Sequence, residues 1–132
     1  MLAHQSLVEN LSSVDGLKCC HLNVNGLFSK LDEIKLLLFE TKIDILAISE
    51  SHLNSEILDY EISIPNYALI RNDRSGRGNS WGGVIIYYKG HLDVCQFEKK
   101  ELVFSPTEII WLELTSAAQK LLLACIYRPP DD

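Results

Sequence analysis

Hydrophobic runs long enough to cross a bilayer are absent from this sequence, since no apolar stretch reaches the roughly 18 residues that a membrane helix needs. The start of the chain, from Met1 to Ser13, also lacks the cationic and continuously apolar segments of a signal peptide. These absences predict an intracellular protein, nuclear or cytoplasmic, without a membrane partner.

Positive charge is scarce as well. The chain has 12 Lys and Arg residues against 18 Asp and Glu residues, which gives a formal net charge of -6. A protein that binds DNA regardless of sequence neutralises phosphates with a basic surface, so this balance argues weakly against such a protein. A local cluster of basic residues can still override the average.

Cysteine is limited to four residues, and their spacing is not that of a metal site. Cys19 and Cys20 are adjacent, whereas Cys95 and Cys125 lie inside apolar runs. Structural zinc sites and redox motifs need pairs of cysteines separated by a few residues, and no such pair is present. We therefore predict reduced cysteines in the core, with neither a disulfide nor a metal.

What remains is a sequence of 132 residues, 47% hydrophobic and 23% charged, which suits a single globular domain with one core. Residues 1–16 are expected to form a polar N-terminal tail without periodicity. Residues 17–132 are expected to form the domain, in which no linker or repeat is visible.

The first part of the domain has the pattern of a strand, a helix and a second strand. Residues 17–23 alternate in polarity as a strand does. Ser29 and Asp32 resemble a helix capping box, and apolar residues then recur at helical spacing to about Thr41. Residues 43–49 are almost continuously apolar, as in a strand covered on both faces. This is the order of a βαβ unit.

The remainder is predicted to be antiparallel and built from hairpins. Its predicted strands are residues 67–71, 84–89, 92–97, 107–115 and 121–127. The fold class that follows is α/β, with one mixed, mostly antiparallel sheet and an amphipathic helix packed on it.

Two polar residues stand at the ends of predicted strands. Asn23 ends the first strand just before a turn at Asn25-Gly26, and Glu50 follows the buried strand. Ligands of open α/β sheets bind at the carboxyl ends of strands, and a carboxylate in that position suits Mg²⁺. The alternatives are a turn-forming asparagine and a solvated loop carboxylate.

Residues in two other places are candidates for contacts with phosphate. Arg71, Arg74 and Arg77 lie in a glycine-rich segment that can follow a phosphate backbone. Tyr127 ends the last predicted strand, where its hydroxyl can reach a phosphate oxygen, and Arg128 follows it. A solvated loop, a core tyrosine and a surface arginine are the alternatives.

The order of these features along the chain is distinctive. It consists of residues 22–27 (LNVNGL), 44–53 (DILAISESHL), 71–74 (RNDR), 81–84 (WGGV) and 126–130 (IYRPP). This set resembles the endonuclease/exonuclease/phosphatase superfamily. Within it, the sequence is most similar to the apurinic-endonuclease-like domain of LINE-type non-LTR retrotransposons, and the YRPP ending favours that branch over DNA repair enzymes.

The resemblance implies a four-layer α/β sandwich of the DNase I type that hydrolyses phosphodiesters with Mg²⁺ or Mn²⁺. It implies that Asn23 positions the active-site network and the scissile phosphate and contributes to the metal site. It also implies that Glu50 is the principal metal ligand and that Tyr127 contacts the phosphate. Asn25 stands where repair enzymes often have Asp, so no metal role is carried over to it.

The later motifs of the family are missing from the sequence. These are the Gly-Asp-Phe-Asn block with its catalytic Asp and Asn, and a closing Asp-His pair. Asp131 and Asp132 follow the prolines too closely to replace them. We therefore expect the N-terminal half of a retrotransposon endonuclease, truncated and inactive alone because such catalytic groups act as a unit.

Two alternatives remain open at this point. One is a non-catalytic binding or interaction module that reuses the half-fold. The other is a different phosphoesterase of the same superfamily. The expected partners are DNA, if the domain is completed, and a second copy of the chain through an exposed sheet face.

Overall fold

Residues 2–74, 81–96 and 108–128 are described by a computed structural model of the chain. The helices and strands in these ranges are α1 (Leu2–Ser12), β1 (Cys19–Asn23), α2 (Leu31–Thr41), β2 (Ile45–Ser49), β3 (Tyr67–Asn72), β4 (Val84–Lys89), β5 (Asp93–Gln96), β6 (Glu108–Ser116) and β7 (Gln119–Tyr127). Two short 3-10 turns, Phe28–Lys30 and Asp59–Ile62, precede α2 and β3.

The strands form two sheets. A four-stranded sheet has the order β1-β2-β4-β3, with β1 parallel to β2 and the other pairs antiparallel. A three-stranded antiparallel sheet has the order β5-β6-β7. The mixed α/β class and the βαβ unit are confirmed, but the prediction of one sheet is wrong. Hairpin patterns identify strands and turns, whereas the sheet that a strand joins is decided by distant contacts.

Two hydrophobic clusters divide the molecule into layers. Ile34 and Leu38 of α2 pack with Leu46 and Ile48 of β2 in the cluster between helix and sheet. The second cluster, between the two sheets, is formed by Ile45, Ala47, Val84, Ile86, Ile110, Leu112, Leu114 and Cys125. Alternate residues of β2 thus enter opposite clusters, which is why the strand is apolar up to Ser49 and buried at every position.

Helix α2 does not begin with the predicted capping box. Ser29 lies within the 3-10 turn, so Lys30 is the N-cap residue of α2, and no side chain caps the helix. At the other end Lys42 adopts a left-handed φ of 55°, and its backbone N–H donates to the Leu38 carbonyl at 3.0 Å. This is a common way to satisfy a terminal carbonyl and to turn the chain into the next strand.

The N-terminal residues form a helix where a polar tail was expected. Helix α1 packs against α2, and Leu11 contacts the cluster between helix and sheet. Leu7 and Leu11 are four residues apart and share a helix face, a spacing that the polar composition of this segment obscures. In the described ranges, no helix is both long and apolar enough to pass through a bilayer.

The cysteines differ in their placement. None forms a disulfide, and Cys125 is buried between the sheets, where burial raises the pKa of its thiol to about 11. Cys20 is partly buried, but Cys19 and Cys95 are exposed. The prediction of core cysteines is wrong for these two because β1 and β5 are edge strands of their sheets.

Tyr87 links the four-stranded sheet to the turn at Asp59–Ile62. Its side chain is fully buried, and its hydroxyl donates a hydrogen bond of 2.7 Å to the Ile62 carbonyl. Burial raises the pKa of Tyr87, so the hydroxyl keeps its proton and remains a donor.

Replacing Tyr87 with Phe should lower the free energy of unfolding by about 1–2 kcal/mol, because the Ile62 carbonyl loses this donor. Denaturant titration measures the change. The matched control is Tyr60→Phe, since Tyr60 is 74% exposed and should tolerate the same deletion. Equal effects of the two substitutions would contradict the assignment.

Candidate functional site

The parallel pairing of β1 and β2 brings two predicted site residues to the same sheet edge. Asn23 is in register with Ser49, the residue before Glu50. The backbone ladder then continues beyond the strands, with Gly26 N–H donating to the Glu50 carbonyl at 2.8 Å and Leu27 N–H to the Ser51 carbonyl at 2.9 Å. Asn23 and Glu50 are therefore neighbours.

Tyr127 reaches the same place from the other sheet. It is the last residue of β7, and its hydroxyl donates a hydrogen bond of 2.8 Å to Oε1 of Glu50. The side chain of Asn23 also hydrogen-bonds to Glu50. The structure thus brings Asn23, Glu50 and Tyr127 together, from strands of both sheets, and we call these three residues the strand-end cluster.

The hydrogen bond from Tyr127 is the main influence that lowers the pKa of Glu50. The hydrogen bond from Asn23 and the charges of His52 and Arg74 also lower the pKa of Glu50, whereas partial burial raises it. The bond to Glu50 is in turn the main cause that raises the pKa of Tyr127. At neutral pH the pair is a carboxylate beside a protonated phenol.

The backbone around the cluster is unusual. Asn25, Glu50 and His52 have φ angles of 48°, 55° and 56°, in the left-handed region. Asparagine tolerates this region, but a glutamate or a histidine there carries a free-energy cost of about 1–3 kcal/mol. Such conformations are over-represented at functional sites.

A diglycine turn lies against the segment that follows Glu50. The N–H groups of Ser51 and His52 donate to the carbonyls of Gly83 and Gly82, at 3.2 Å and 2.8 Å. Gly83 has a φ of 87°, and a Cβ there would come within 2.6 Å of the Ser51 hydroxyl. Only glycine allows this approach. The exposed Trp81 packs edge-on against His52, with 5.0 Å between the ring centroids.

One charged residue of the site was missed by the sequence analysis. Glu108 begins β6 and is only 6% exposed. Its Oε1 accepts hydrogen bonds from Arg74 Nε at 2.8 Å and from the Gly83 N–H at 3.2 Å. Its position in the sequence could have revealed it. Glu108 falls on the same alternate positions as Ile110, Leu112 and Leu114, which form the buried face of the strand.

Comparison with known proteins identifies the fold. No family model matches the sequence, and no curated protein matches it. Among solved structures, the AP endonuclease LMAP from Leishmania major superposes with a TM-score of 0.63 at 14% identity, over 96% of this chain and 51% of that one. The described residues therefore share the fold of this AP endonuclease. This confirms the partial DNase I-like sandwich that the resemblance implied.

Two further solved structures share this fold. The endonuclease domain of TRAS1, a telomere-specific non-LTR retrotransposon, has a TM-score of 0.54 at 16% identity, over 89% of this chain and 47% of that one. The 3′ phosphatase NExo from Neisseria, bound to a product DNA hairpin, has a TM-score of 0.55 at 22% identity, over 81% and 40%. The chain spans about half or less of the length of these structures.

The predicted DNA-contact arginines are in different situations. Arg71 makes five hydrogen bonds, to Asp73 (two), Asp59 and the carbonyls of Asn54 and Ile57. A guanidinium has five N–H donors, so none is left for a phosphate. Arg74 lies beside the strand-end cluster, with its guanidinium carbon 6.0 Å from the Tyr127 ring centroid.

The other two arginines add little to the description of the site. Arg128 follows Tyr127 and is exposed. Arg77 lies outside the described residues, and so do Pro129 and Pro130. The roles of all these residues toward DNA stay predictions.

The donor set of the site fits a hard divalent cation. Glu50 supplies one carboxylate of lowered pKa, and the side-chain amide of Asn23, whose N–H donates to that carboxylate, carries the second oxygen that could turn to a cation. Among the residues that the structure describes, no group of three or more His, Cys, Asp or Glu side chains could enclose a metal. Mg²⁺ suits this arrangement because it commonly binds through one or two carboxylates, with water and substrate phosphate completing the shell.

Tyr127→Phe should raise the pKa of Glu50, because the substitution removes the hydrogen bond that lowers it most. The pKa of Glu50 is lower in the folded chain than in the unfolded chain. At pH values above the unfolded-state pKa, the ionised carboxylate therefore stabilises the folded state. That contribution is lost as the pH falls through the folded-state pKa. Titration of the ¹³C-labelled carboxyl by NMR measures the shift, with Tyr60→Phe as control. An unchanged pKa would show that the bond is absent in solution.

Proposed function

We propose that this chain supplies the metal-binding and phosphate-binding part of a DNA endonuclease derived from a non-LTR retrotransposon. The observation that carries the proposal is the strand-end cluster, in which Tyr127 of one sheet donates to Glu50 of the other at 2.8 Å. The reaction proposed is metal-dependent hydrolysis of a DNA phosphodiester. The solved structures with this fold include an AP endonuclease and the endonuclease domain of a non-LTR retrotransposon. Their names support a DNA substrate.

In this proposal each residue of the cluster has one task. Glu50 and Asn23 hold Mg²⁺, which when bound polarises a phosphoryl oxygen and stabilises the leaving oxyanion. The lowered pKa keeps Glu50 ionised for the cation. The raised pKa of Tyr127 keeps its hydroxyl protonated. Its one O–H group donates to Glu50 in the free chain, and in the proposed complex it turns from Glu50 to a phosphate oxygen when the cation occupies the carboxylate.

The proposal also holds that this chain alone does not cleave DNA. The chain spans between 40% and 51% of the structures described above. The sequence has no counterpart of the Gly-Asp-Phe-Asn block with its catalytic Asp and Asn, or of the Asp-His pair that the resemblance assigns to the attacking water and the phosphate. Catalytic groups that act together lose most of the rate when one is removed, so the strand-end cluster by itself should contribute binding more than turnover.

A second phosphoesterase activity is favoured by one observation. The Neisseria structure with this fold is named as a 3′ phosphatase, so release of a terminal phosphate is the alternative reaction. The retrotransposon assignment depends on the TRAS1 likeness and on the residues Asn25 and Tyr127 to Pro130 of the sequence.

Nicking of supercoiled plasmid with Mg²⁺ tests the endonuclease proposal. The chain alone should give no nicked product, and adding the C-terminal part of the TRAS1 endonuclease domain should restore nicking. In the restored system Glu50→Gln should reduce the rate by about a thousandfold, which corresponds to several kcal/mol of transition-state stabilisation. Glu33→Gln, on the exposed side of α2, is the control.

Three outcomes would count against this scheme. Robust nicking by the chain alone would overturn the claim of inactivity. Release of phosphate from a 3′-phosphorylated oligonucleotide without nicking would favour the phosphatase. Binding of Mg²⁺ without any change in the NMR signal of the Glu50 carboxyl would remove Glu50 from the metal site.

We also propose self-association through the outer face of the β5-β6-β7 sheet. On that face Ile109 is opposite Ile126, Trp111 opposite Ala124, and Glu113 opposite Leu122. Leu122 and Ile126 are 54% and 56% exposed. Contiguous exposed apolar residues commonly mark an interaction surface.

The measurement for this proposal is light scattering over a range of protein concentrations. Association should rise with concentration and should weaken in the double variant Leu122→Ser, Ile126→Thr. Leu36→Ser is the matched control, because Leu36 is equally exposed at 52% but lies on α2. A monodisperse monomer at all concentrations would refute the proposal.

A further inference from the structure

Arg71 and Arg74 are three residues apart and have the same side chain, yet they differ in how many of their N–H donors are used. All five N–H donors of Arg71 are used within the chain. Among the described residues, Arg74 donates through Nε alone, to Glu108 at 2.8 Å. Its Nη2 is buried without a partner in the described residues. Within the part of the chain that the structure describes, the terminal nitrogens of Arg74 thus keep unused donors, and a buried donor without a partner is costly.

The carboxylate that holds Arg74 is itself buried. The side chain of Glu108 is 8% exposed, and its Oε1 accepts both Arg74 Nε and the Gly83 N–H. Its Oε2 has no hydrogen-bond partner in the part of the chain that the structure describes. A carboxylate is expensive to bury, and an apolar residue is the ordinary choice at this position of β6. Packing therefore does not explain Glu108, but the orientation of Arg74 does.

The turn at Gly82 is shaped around this ion pair. A Cβ on Gly82 would lie 2.4 Å from Arg74 Nη2 and 2.6 Å from Glu108 Oε1. Any side chain at this position would displace the guanidinium or the carboxylate. Glycine at this position thus leaves the space that the Arg74–Glu108 pair occupies.

The position in which Arg74 is held is next to the strand-end cluster. Its guanidinium carbon lies 6.0 Å from the ring centroid of Tyr127, whose hydroxyl contacts Glu50. The side chain of Arg74 is 26% exposed, so it is partly accessible from solvent. A guanidinium with unused N–H groups beside a phenol donor is suited to the oxygens of a phosphate.

We infer that Arg74 is a phosphate ligand of the strand-end cluster and that Glu108 is the positioning residue that holds it there. The ligand is the phosphate group of a phosphodiester or phosphomonoester, bound by Arg74 beside Tyr127. This inference rests on the proposed function for the location of the reacting phosphate. It assigns Arg74 to the reacting centre, whereas a glycine-rich basic loop by itself suggests only a contact with the DNA backbone.

Titration of the full chain with inorganic phosphate, without metal, tests the inference directly. The ¹⁵Nε–H signals of the arginines are followed by NMR, with sodium chloride matched for ionic strength. The Arg74 signal should shift and saturate, whereas the Arg71 signal should not, because its donors are occupied. Equal shifts of both signals, or no shift of Arg74, would overturn the inference.

Glu108→Gln tests the positioning role. The amide oxygen can still accept a hydrogen bond, but the charge that holds the guanidinium is lost, so phosphate affinity at Arg74 should fall about tenfold. Glu113→Gln is the control, since Glu113 is on the outer face of the same strand and pairs with Lys120. A loss of thermal stability in Glu108→Gln with unchanged phosphate affinity would show that Glu108 is only structural.

Failure of this inference is distinguishable from failure of the proposed function. A separate titration with Mg²⁺, followed at the Glu50 carboxyl, reports on the metal site alone. A shift at Glu50 with no phosphate response at Arg74 would reject the inference and leave the metal site in place. A phosphate response at Arg74 with no Mg²⁺ response at Glu50 would support the inference and reject metal-dependent hydrolysis.

Discussion

The hydrogen bond between Tyr127 and Glu50 is the contact on which the candidate site depends. Its two residues belong to different sheets and are separated by 77 positions in the sequence. Their side chains meet because Ile45 and Ala47 of one sheet pack with Ile110 and Leu112 of the other. The lowered pKa of Glu50, and hence its suitability as a cation ligand, is therefore a consequence of how the sheets pack.

The backbone conformation of the residues around this bond is stabilised by neighbouring turns. The left-handed residues Glu50 and His52 are held by backbone hydrogen bonds to Gly26 on one side and to Gly82 on the other. Directly before them, Ile45–Ser49 is buried at every position, so the strand cannot shift to relieve the strain. A rigid strand with a strained end is a good arrangement for presenting a carboxylate in one fixed orientation.

Much of the fold could be predicted because its signals are local. The helix α2 and the strands β2 and β4 follow from apolar periodicity, and the strand ends placed Asn23 and Glu50 at one edge. Helix α1 and the division into two sheets could not be predicted, since each depends on contacts with distant elements. Glu108 was missed for the same reason, because its partners Arg74 and Gly83 are 34 and 25 residues away.

Arg71 and Arg74 of this acidic protein differ in their hydrogen bonding. Composition treats Arg71 and Arg74 as equivalent, but the carboxylates around them make them different. Two aspartates and two carbonyls occupy every donor of Arg71, whereas one glutamate orients Arg74 through a single nitrogen. The net charge of -6 therefore says little about phosphate binding in this chain. The two arginines differ in which guanidinium keeps unused donors among the described residues, and the acidic side chains around each arginine decide that.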